Sequence, residues 1–207
     1  MPSLVLASGS PRRQQLLREL GFDFITCATN IPEQRDVGER PRSYVQRLAE
    51  TKARAGLTLV DEAGVVVLGA DTIVVSGDEV LEKPADYDDF RRMMKQLSGS
   101  EHQTMTAVAV TNGETLHCEV ETSTVVFVPL TDDDMQRYWA TGEPQDKAGG
   151  YGIQGYAARF VRELRGTFHG VMGLPLVVTL DLLAAVDMHP NAPVAGVMAK
   201  SEKHCEC

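Results

Sequence analysis

The sequence predicts an α/β protein built on a mixed sheet. Three observations carry this. In the N-terminal half, short apolar runs with strand character alternate with segments of helical period. Farther on, two β-rich stretches flank Asn112-Gly113, a signal for an antiparallel hairpin. No internal repeat interrupts the pattern, and an apolar content of 43% is ordinary for a packed globular chain.

The elements follow in order. Leu4 to Ala7 is a short strand, broken by Ser8-Gly9. Ser10 suits a helix N-cap and Pro11 the first helical position. Leu16, Leu17 and Leu20 line one face of that helix, and Gly21 suits its stop. Arg12 and Arg13 fall in the first turn, where the helix dipole is positive and each cation costs about 0.3–1 kcal/mol. An anion bound among the free N–H groups would offset that cost. Two solvated arginines are the alternative.

Phe22 to Ala28 reads as a second strand, and residues 29–36 as a loop carrying an isolated acid, Glu33. Pro41 opens a helix expected to end near Ala55, stopped by Gly56. Lys52 continues its inward stripe of Tyr44, Val45, Leu48, Ala49 and Ala53, so it either snorkels to water or points into a cleft. Val65 to Val75 is nearly continuous apolar strand, interrupted by Gly69-Ala70-Asp71-Thr72. An aspartate among β-branched residues needs a partner, a metal or several donors, unless it merely caps a turn. Lys83 sits just before the break at Pro84. Asp86 caps a helix marked by Phe90, Met93, Met94 and Leu97, and Thr131 caps another marked by Met135, Tyr138 and Trp139. Between them lies the hairpin, Gln103 to Thr111 and Thr115 to Val128. Residues 147–155 hold four glycines, a composition that lets backbone approach a ligand. Phe160 to Leu164 is a further strand, and Pro175 opens a last helix to about Val186.

Other chemistry is bounded by composition. A net charge of −9, from 20 basic and 29 acidic residues, argues against a nucleic-acid polymer as partner but leaves room for one nucleotide. No apolar run approaches the roughly 20 residues of a membrane span, and no signal peptide is read. Four scattered cysteines make no disulfide framework, so a cytoplasmic location is expected. Residues 187–207 lack periodicity and read as a mobile tail beyond a 1–186 domain, with His204, Cys205 and Cys207 an incidental cluster. His102 and His117 have no companions at metal-ligand spacing. Together, Arg12, Arg13, Lys52 and Lys83 around Asp71 suggest a polyphosphate site acting on a phosphate ester or anhydride.

Five separated motifs carry a specific resemblance: Ala7-Ser8-Gly9-Ser10-Pro11-Arg12-Arg13, Gly69-Ala70-Asp71-Thr72, Glu82-Lys83-Pro84, the 147–155 glycine loop and Gly173-Leu174-Pro175. In this order they resemble the Maf family of nucleotide pyrophosphatases, from about Leu4 to Val186. The resemblance implies an elongated, two-lobed α/β fold shared with inosine-triphosphate pyrophosphatases, and hydrolysis of a nucleoside triphosphate to monophosphate and pyrophosphate with a divalent metal, Mg²⁺ or Mn²⁺. It implies phosphate-binding roles for Ser8, Arg13, Lys52 and Lys83, a general base at Asp71, and metal binding by Glu33 and Asp71. Arg12, Thr72 and Gln154 fall at the specificity positions, and that set resembles the dTTP/UTP branch; modified pyrimidine triphosphates are further candidates. The 7-methyl-GTP branch has Trp after the Ser-Pro. Gly150 stands where alanine is common, which would loosen the loop. A homodimer is a family-level expectation. The alternative function is a nucleotide-binding regulator of septum formation whose hydrolysis is incidental, and a phosphomonoesterase is a third.

Overall fold

The structure, a computed structural model, describes residues 3–60 and 64–191. It has one seven-stranded mixed sheet in the order β2-β1-β3-β5-β6-β7, with β4 also paired to β3. The strands are β1 (Leu4–Leu6), β2 (Ile25–Thr26), β3 (Val66–Ser76), β4 (Glu79–Leu81), β5 (Glu101–Thr111), β6 (Leu116–Phe127) and β7 (Val161–Arg165). The helices are α1 (Pro11–Glu19), α2 (Pro41–Val60), α3 (Tyr87–Leu97), α4 (Asp132–Trp139), α5 (Phe168–Met172) and α6 (Leu176–Ala184). β1 runs parallel to β2 and β3, and the other pairings are antiparallel.

β3 organises the sheet. One of its edges is paired with β5 from Val67 to Val75. The other edge is shared: β1 covers Val66 to Leu68, and β4 covers Val74 to Ser76. Among the described residues, 69–73 therefore have no strand neighbour on that side. The C-terminal ends of β1 and β4 approach this gap from opposite directions. Ser8 to Arg13 leave one of them, and Glu82-Lys83 leave the other.

Strand alternation divides β3 between two faces. Val66, Leu68 and Ala70 pack with Leu16 and Leu17 of α1 and Leu182 and Leu183 of α6. Farther along this face, Val74 joins Phe90, Met93 and Met94 of α3 and Met135 and Tyr138 of α4. Ile73 and Val75 belong to the opposite face, with Tyr44, Leu48, Ala49 and Ala53 of α2. Thr72 thus lies between two core clusters on one face, and Asp71 faces α2 on the other.

Several expected boundaries move, for physical reasons. α2 passes through Gly56 and continues to Val60. A Cβ on Gly56 would come within 2.8 Å of both Ala7 and Val67, so this glycine admits a close helix–sheet contact and is no stop. Gly69 on β3 is the second such contact: a Cβ there would lie 2.5 Å from the Ala49 carbonyl oxygen and the Ala53 nitrogen. The second strand is only Ile25–Thr26, both exposed at the sheet edge. The hairpin connection is longer than two residues, and Asn112 Oδ1 organises it by accepting N–H groups of Glu114 (3.1 Å) and Thr115 (2.9 Å). Pro175 is the extended cap before α6. Gly173, at φ 114°, ends the additional short helix α5.

The segment after Val186 begins as structured chain. Met188 is buried in the α1–α6 cluster, and the Asn191 N–H donates to the Gly21 carbonyl at 2.9 Å. His204, Cys205 and Cys207 lie outside the described residues. Among the described residues no helix is long and apolar enough to cross a membrane.

Gly69→Ala is expected to destabilise the protein by about 1–3 kcal/mol, the usual range for overpacking. It is also expected to lower activity, because α2 must move away from β3 and carry Lys52 with it. Denaturant unfolding and turnover on the same preparation test this; unchanged stability would contradict the close-contact account.

Candidate active site

The gap beside β3 opens into a cleft of about 340 Å³, a size typical of small-molecule sites. Each sequence-predicted site residue, Ser8, Arg12, Arg13, Glu33, Lys52, Asp71, Thr72, Lys83 and Gln154, lines it.

Asp71 sits on β3 at the middle of the gap and is 7% exposed. Lys52 is equally buried on α2, and its Nζ lies 2.7 Å from Asp71 Oδ1 and 2.6 Å from Glu33 Oε1. Lys52 is therefore a bridge between two acids and does not snorkel to water. The short helix–sheet distance at Gly69 makes this contact possible, since Lys52 lies beside Ala49 and Ala53. Burial raises the Asp71 carboxyl above the usual aspartate range, against the opposing charges of Lys52 and Arg13. Burial would also raise Glu33, but its hydrogen bond and charge contact with Lys52, helped by Lys83, hold it below the usual range. Lys83 Nζ stands 3.6 Å from Glu33 Oε2, on a side chain 59% exposed.

Glu33 belongs to an irregular loop that α2 holds in place. Arg47 contacts Glu39 through two 2.7 Å hydrogen bonds and donates to the Gln34 carbonyl at 2.9 Å. This fixes the loop close to Glu33. The sequence could not supply that link, because residues 29–36 have no period.

The opposite wall is a hydrogen-bond chain anchored by Arg13. Its Nε donates to the Gly173 carbonyl at 2.8 Å, Nη2 to Thr72 Oγ1 at 3.0 Å, and Nη1 to Ser8 Oγ at 3.3 Å. Thr106 Oγ1 donates to the Gly170 carbonyl at 2.8 Å, so Thr72 supplies the proton in its 2.9 Å bond with Thr106. The Thr72 hydroxyl is thus largely committed to holding Arg13. Ser8 Oγ accepts from Arg13 and from the Ser10 N–H (3.2 Å), leaving its own proton for a ligand. Ser10 caps α1 and accepts the Arg13 N–H, as the sequence indicates.

The glycine loop lines the cleft through Gly152 and Gln154, and its glycines are also required by the packing around them. Its glycines admit protein groups: a Cβ on Gly149 would meet Val74 at 2.8 Å, one on Gly152 would meet Lys147 Cε at 2.9 Å, and one on Gly155 would overlap Glu143 at 2.2 Å. Gly150 has φ +68° and a Cβ there would lie 3.0 Å from the Phe90 ring, so it suits the conformation instead of loosening it. The Gly149 N–H donates to the Glu82 carbonyl at 3.0 Å and ties the loop to the end of β4.

Tyr151 holds the loop from below. Its hydroxyl lies 2.8 Å from His102 Nε2 and 3.3 Å from Thr104 Oγ1. His102 Nδ1 is the one buried side-chain polar atom without a partner among the described residues. Burial pushes the His102 imidazole down to about 4.

Three charged cleft residues escaped the sequence reading. Glu82 takes the Tyr44 hydroxyl at 3.2 Å; burial raises its carboxyl, as do the charges of Asp71 and Glu33, against the Tyr44 bond. Lys147 is buried, with Nζ donating to the Glu143 carbonyl at 2.7 Å and to Asp146 Oδ1 at 2.6 Å. Asp146 is the third. Glu82 and Lys147 lie within motifs that carry the family resemblance, which was the available signal.

Cations from three elements around one buried aspartate define an α/β protein with a cleft suited to a polyanion. The chain belongs to the Maf-like protein family, whose sequence profile matches residues 3–186. It is 51% identical over 181 residues to the dTTP/UTP pyrophosphatase of Vibrio parahaemolyticus serotype O3:K6, covering 87% of this chain and 95% of that protein. It is 52% identical over 185 residues to the dTTP/UTP pyrophosphatase of Escherichia coli O6:K15:H31, covering 89% and 93%. Among solved structures, the Staphylococcus aureus Ham1 protein matches with a TM-score of 0.42 at 12% identity, over 63% of this chain and 72% of that one. Protein VC0702 from Vibrio cholerae matches with a TM-score of 0.33 at 10% identity, over 68% and 70%. These two likenesses are too distant to bear on the fold, which the strand order and register define.

His102 gives a stability signature. Its folded pKa, about 4, lies below its ordinary 6.5, so the unfolded chain binds a proton there that the folded chain does not. Stability is expected to fall as pH drops from 6.5 towards 4. His102→Gln should show a shallower loss over this window in paired denaturation curves; identical slopes would contradict a buried neutral imidazole.

Proposed function

We propose that the protein is a nucleoside triphosphate pyrophosphatase acting on dTTP and UTP, releasing pyrophosphate and the monophosphate. The observation that carries this reading is Asp71, a buried carboxylate in the sheet gap with one oxygen on Lys52 and the other, Oδ2, without a hydrogen-bond partner among the described residues. The names of relatives about half identical to this chain support the substrate class.

In this reading Asp71 Oδ2 accepts a proton from the water that attacks the α-phosphorus. Burial favours its taking up a proton, and Lys52 holds it in one orientation. Arg13 retains N–H groups beyond those bound to Gly173, Thr72 and Ser8, and these meet phosphoryl oxygens together with the Ser8 hydroxyl. Lys83, exposed and held only by Glu33 among the described residues, reaches the more distal phosphates. Charge growing on the departing pyrophosphate is offset by these fixed cations. Arg12 and Gln154 read the base, while Thr72 acts chiefly by fixing Arg13.

The acids fit a hard divalent cation. Asp71 and Glu33 offer carboxylate oxygens, and Mg²⁺ or Mn²⁺ in such sites takes one or two carboxylates together with substrate phosphates. Among the described residues no group of three His, Cys, Asp or Glu side chains is arranged as a self-sufficient metal site, so Asp71 and Glu33 would hold an ion that arrives with the triphosphate. When bound, that ion supplies charge neutralisation at the phosphoryl oxygens.

Product analysis across a nucleotide panel with Mg²⁺ and Mn²⁺ tests the proposal. Pyrophosphate and monophosphate are expected from dTTP and UTP, and Asp71→Asn should lower turnover by roughly 10²–10⁴-fold with the fold retained. Release of free phosphate would indicate a phosphomonoesterase, and nucleotide binding without turnover would indicate a regulator.

A further inference from the structure

Two acids flank the glycine loop, and their hydrogen-bonding states differ. Glu143 is fully engaged: Oε1 accepts the Tyr138 hydroxyl at 2.8 Å, and Oε2 accepts the Tyr156 N–H at 2.9 Å. Asp146 is not. Its Oδ1 holds the Lys147 ammonium at 2.6 Å, while Oδ2 takes no partner among the described residues. Its side chain is 72% exposed and lines the same cleft as Arg12 and Gln154.

The surrounding donors are also unspent. Lys147 uses two of its three N–H groups, on Glu143 and Asp146. Arg12 and Gln154 have no side-chain hydrogen bond among the described residues, and the Arg12 charge reaches Asp146. This part of the cleft therefore presents one free anionic acceptor flanked by several free donors. That pattern is the complement of a ring edge reading carbonyl, N–H, carbonyl.

We propose that Asp146 is a specificity-determining residue whose free carboxylate oxygen accepts the ring N–H of a 4-oxo pyrimidine, while donors beside it meet the flanking carbonyls. The proposal rests on the pyrophosphatase reading above and extends it to a residue with no phosphate or water to handle. Uracil and thymine share the required edge. Cytosine presents a bare ring nitrogen in place of the N–H, so two acceptors would face each other and one would stay unpaired. Sites built on such pairing reject mismatched edges strongly. A carboxylate is more selective here than an amide, because it can only accept. An asparagine that keeps its oxygen on Lys147 turns its NH₂ to the base, where it meets the bare cytosine nitrogen but opposes the uracil N–H.

Asp146→Asn tests this directly, and the amide can keep the contact with Lys147. Steady-state kcat and KM are measured for UTP, CTP and 3-methyl-UTP, which lacks the ring N–H, in wild type and variant. The wild type is expected to prefer UTP over both others, and the variant to lose roughly tenfold of the UTP-to-CTP preference, chiefly through KM. A variant with unchanged preference, or with kcat reduced equally on all three, overturns the assignment while pyrophosphate release from UTP by the wild type leaves the parent reading standing. A wild type that releases no pyrophosphate from UTP overturns both.

Discussion

The incomplete pairing of one edge of β3 is the constraint from which the cleft follows. β1 and β4 share that edge and stop short of each other. A continuous neighbour would cover Asp71 and leave no room for a ligand. Because the two strands end at the gap, the chain leaving β1 brings Ser8 and Arg13, and the chain leaving β4 brings Glu82 and Lys83. The site is assembled from strand ends, with β3 as its rigid floor.

Lys52 makes a buried acid at that floor tolerable. A lone carboxylate with this little exposure would cost several kcal/mol or take up a proton. One ammonium shared between Asp71 and Glu33 compensates both only partly, so an excess of negative charge remains near Glu82. Facing it, Arg13, Lys83 and Arg12 carry positive charge with few acid partners. This separation of charge inside one cleft suits a triphosphate with its cation better than it suits either alone. Gly69 matters to it as directly as the charged residues do, because it sets how near α2 can come.

Much of this was legible in the sequence where the signal was local. Ser10 and Pro11 announce the start of α1, and Asp71 stands out because an aspartate inside a β-branched run demands an explanation. The period of α2 put Lys52 on the buried face, although it left open whether that side chain turned back to water. Long-range pairing was not legible. Nothing in Leu4–Leu6 or Glu79–Leu81 says that the two strands share an edge, so the gap is invisible without the sheet. Gly56 looked like a helix stop because sequence reports its conformational freedom and not the neighbour that needs its missing side chain. The same limit applied to the glycine loop: composition shows where backbone can approach closely, and only the structure shows that Val74, Phe90, Lys147 and Glu143 press against its glycines. Thr72 matched a specificity position through family resemblance, but only its bonds to Arg13 and Thr106 reveal how its hydroxyl is used.

The central claim is that the water held at Asp71 attacks the α-phosphorus of the bound triphosphate. Hydrolysis of UTP in ¹⁸O-enriched water, with the products separated and weighed by mass spectrometry, tests it most directly. The account predicts one ¹⁸O atom in the monophosphate and none in the pyrophosphate. Label in the pyrophosphate would place the attack on the β-phosphorus and contradict the assignment of Asp71 to the α position.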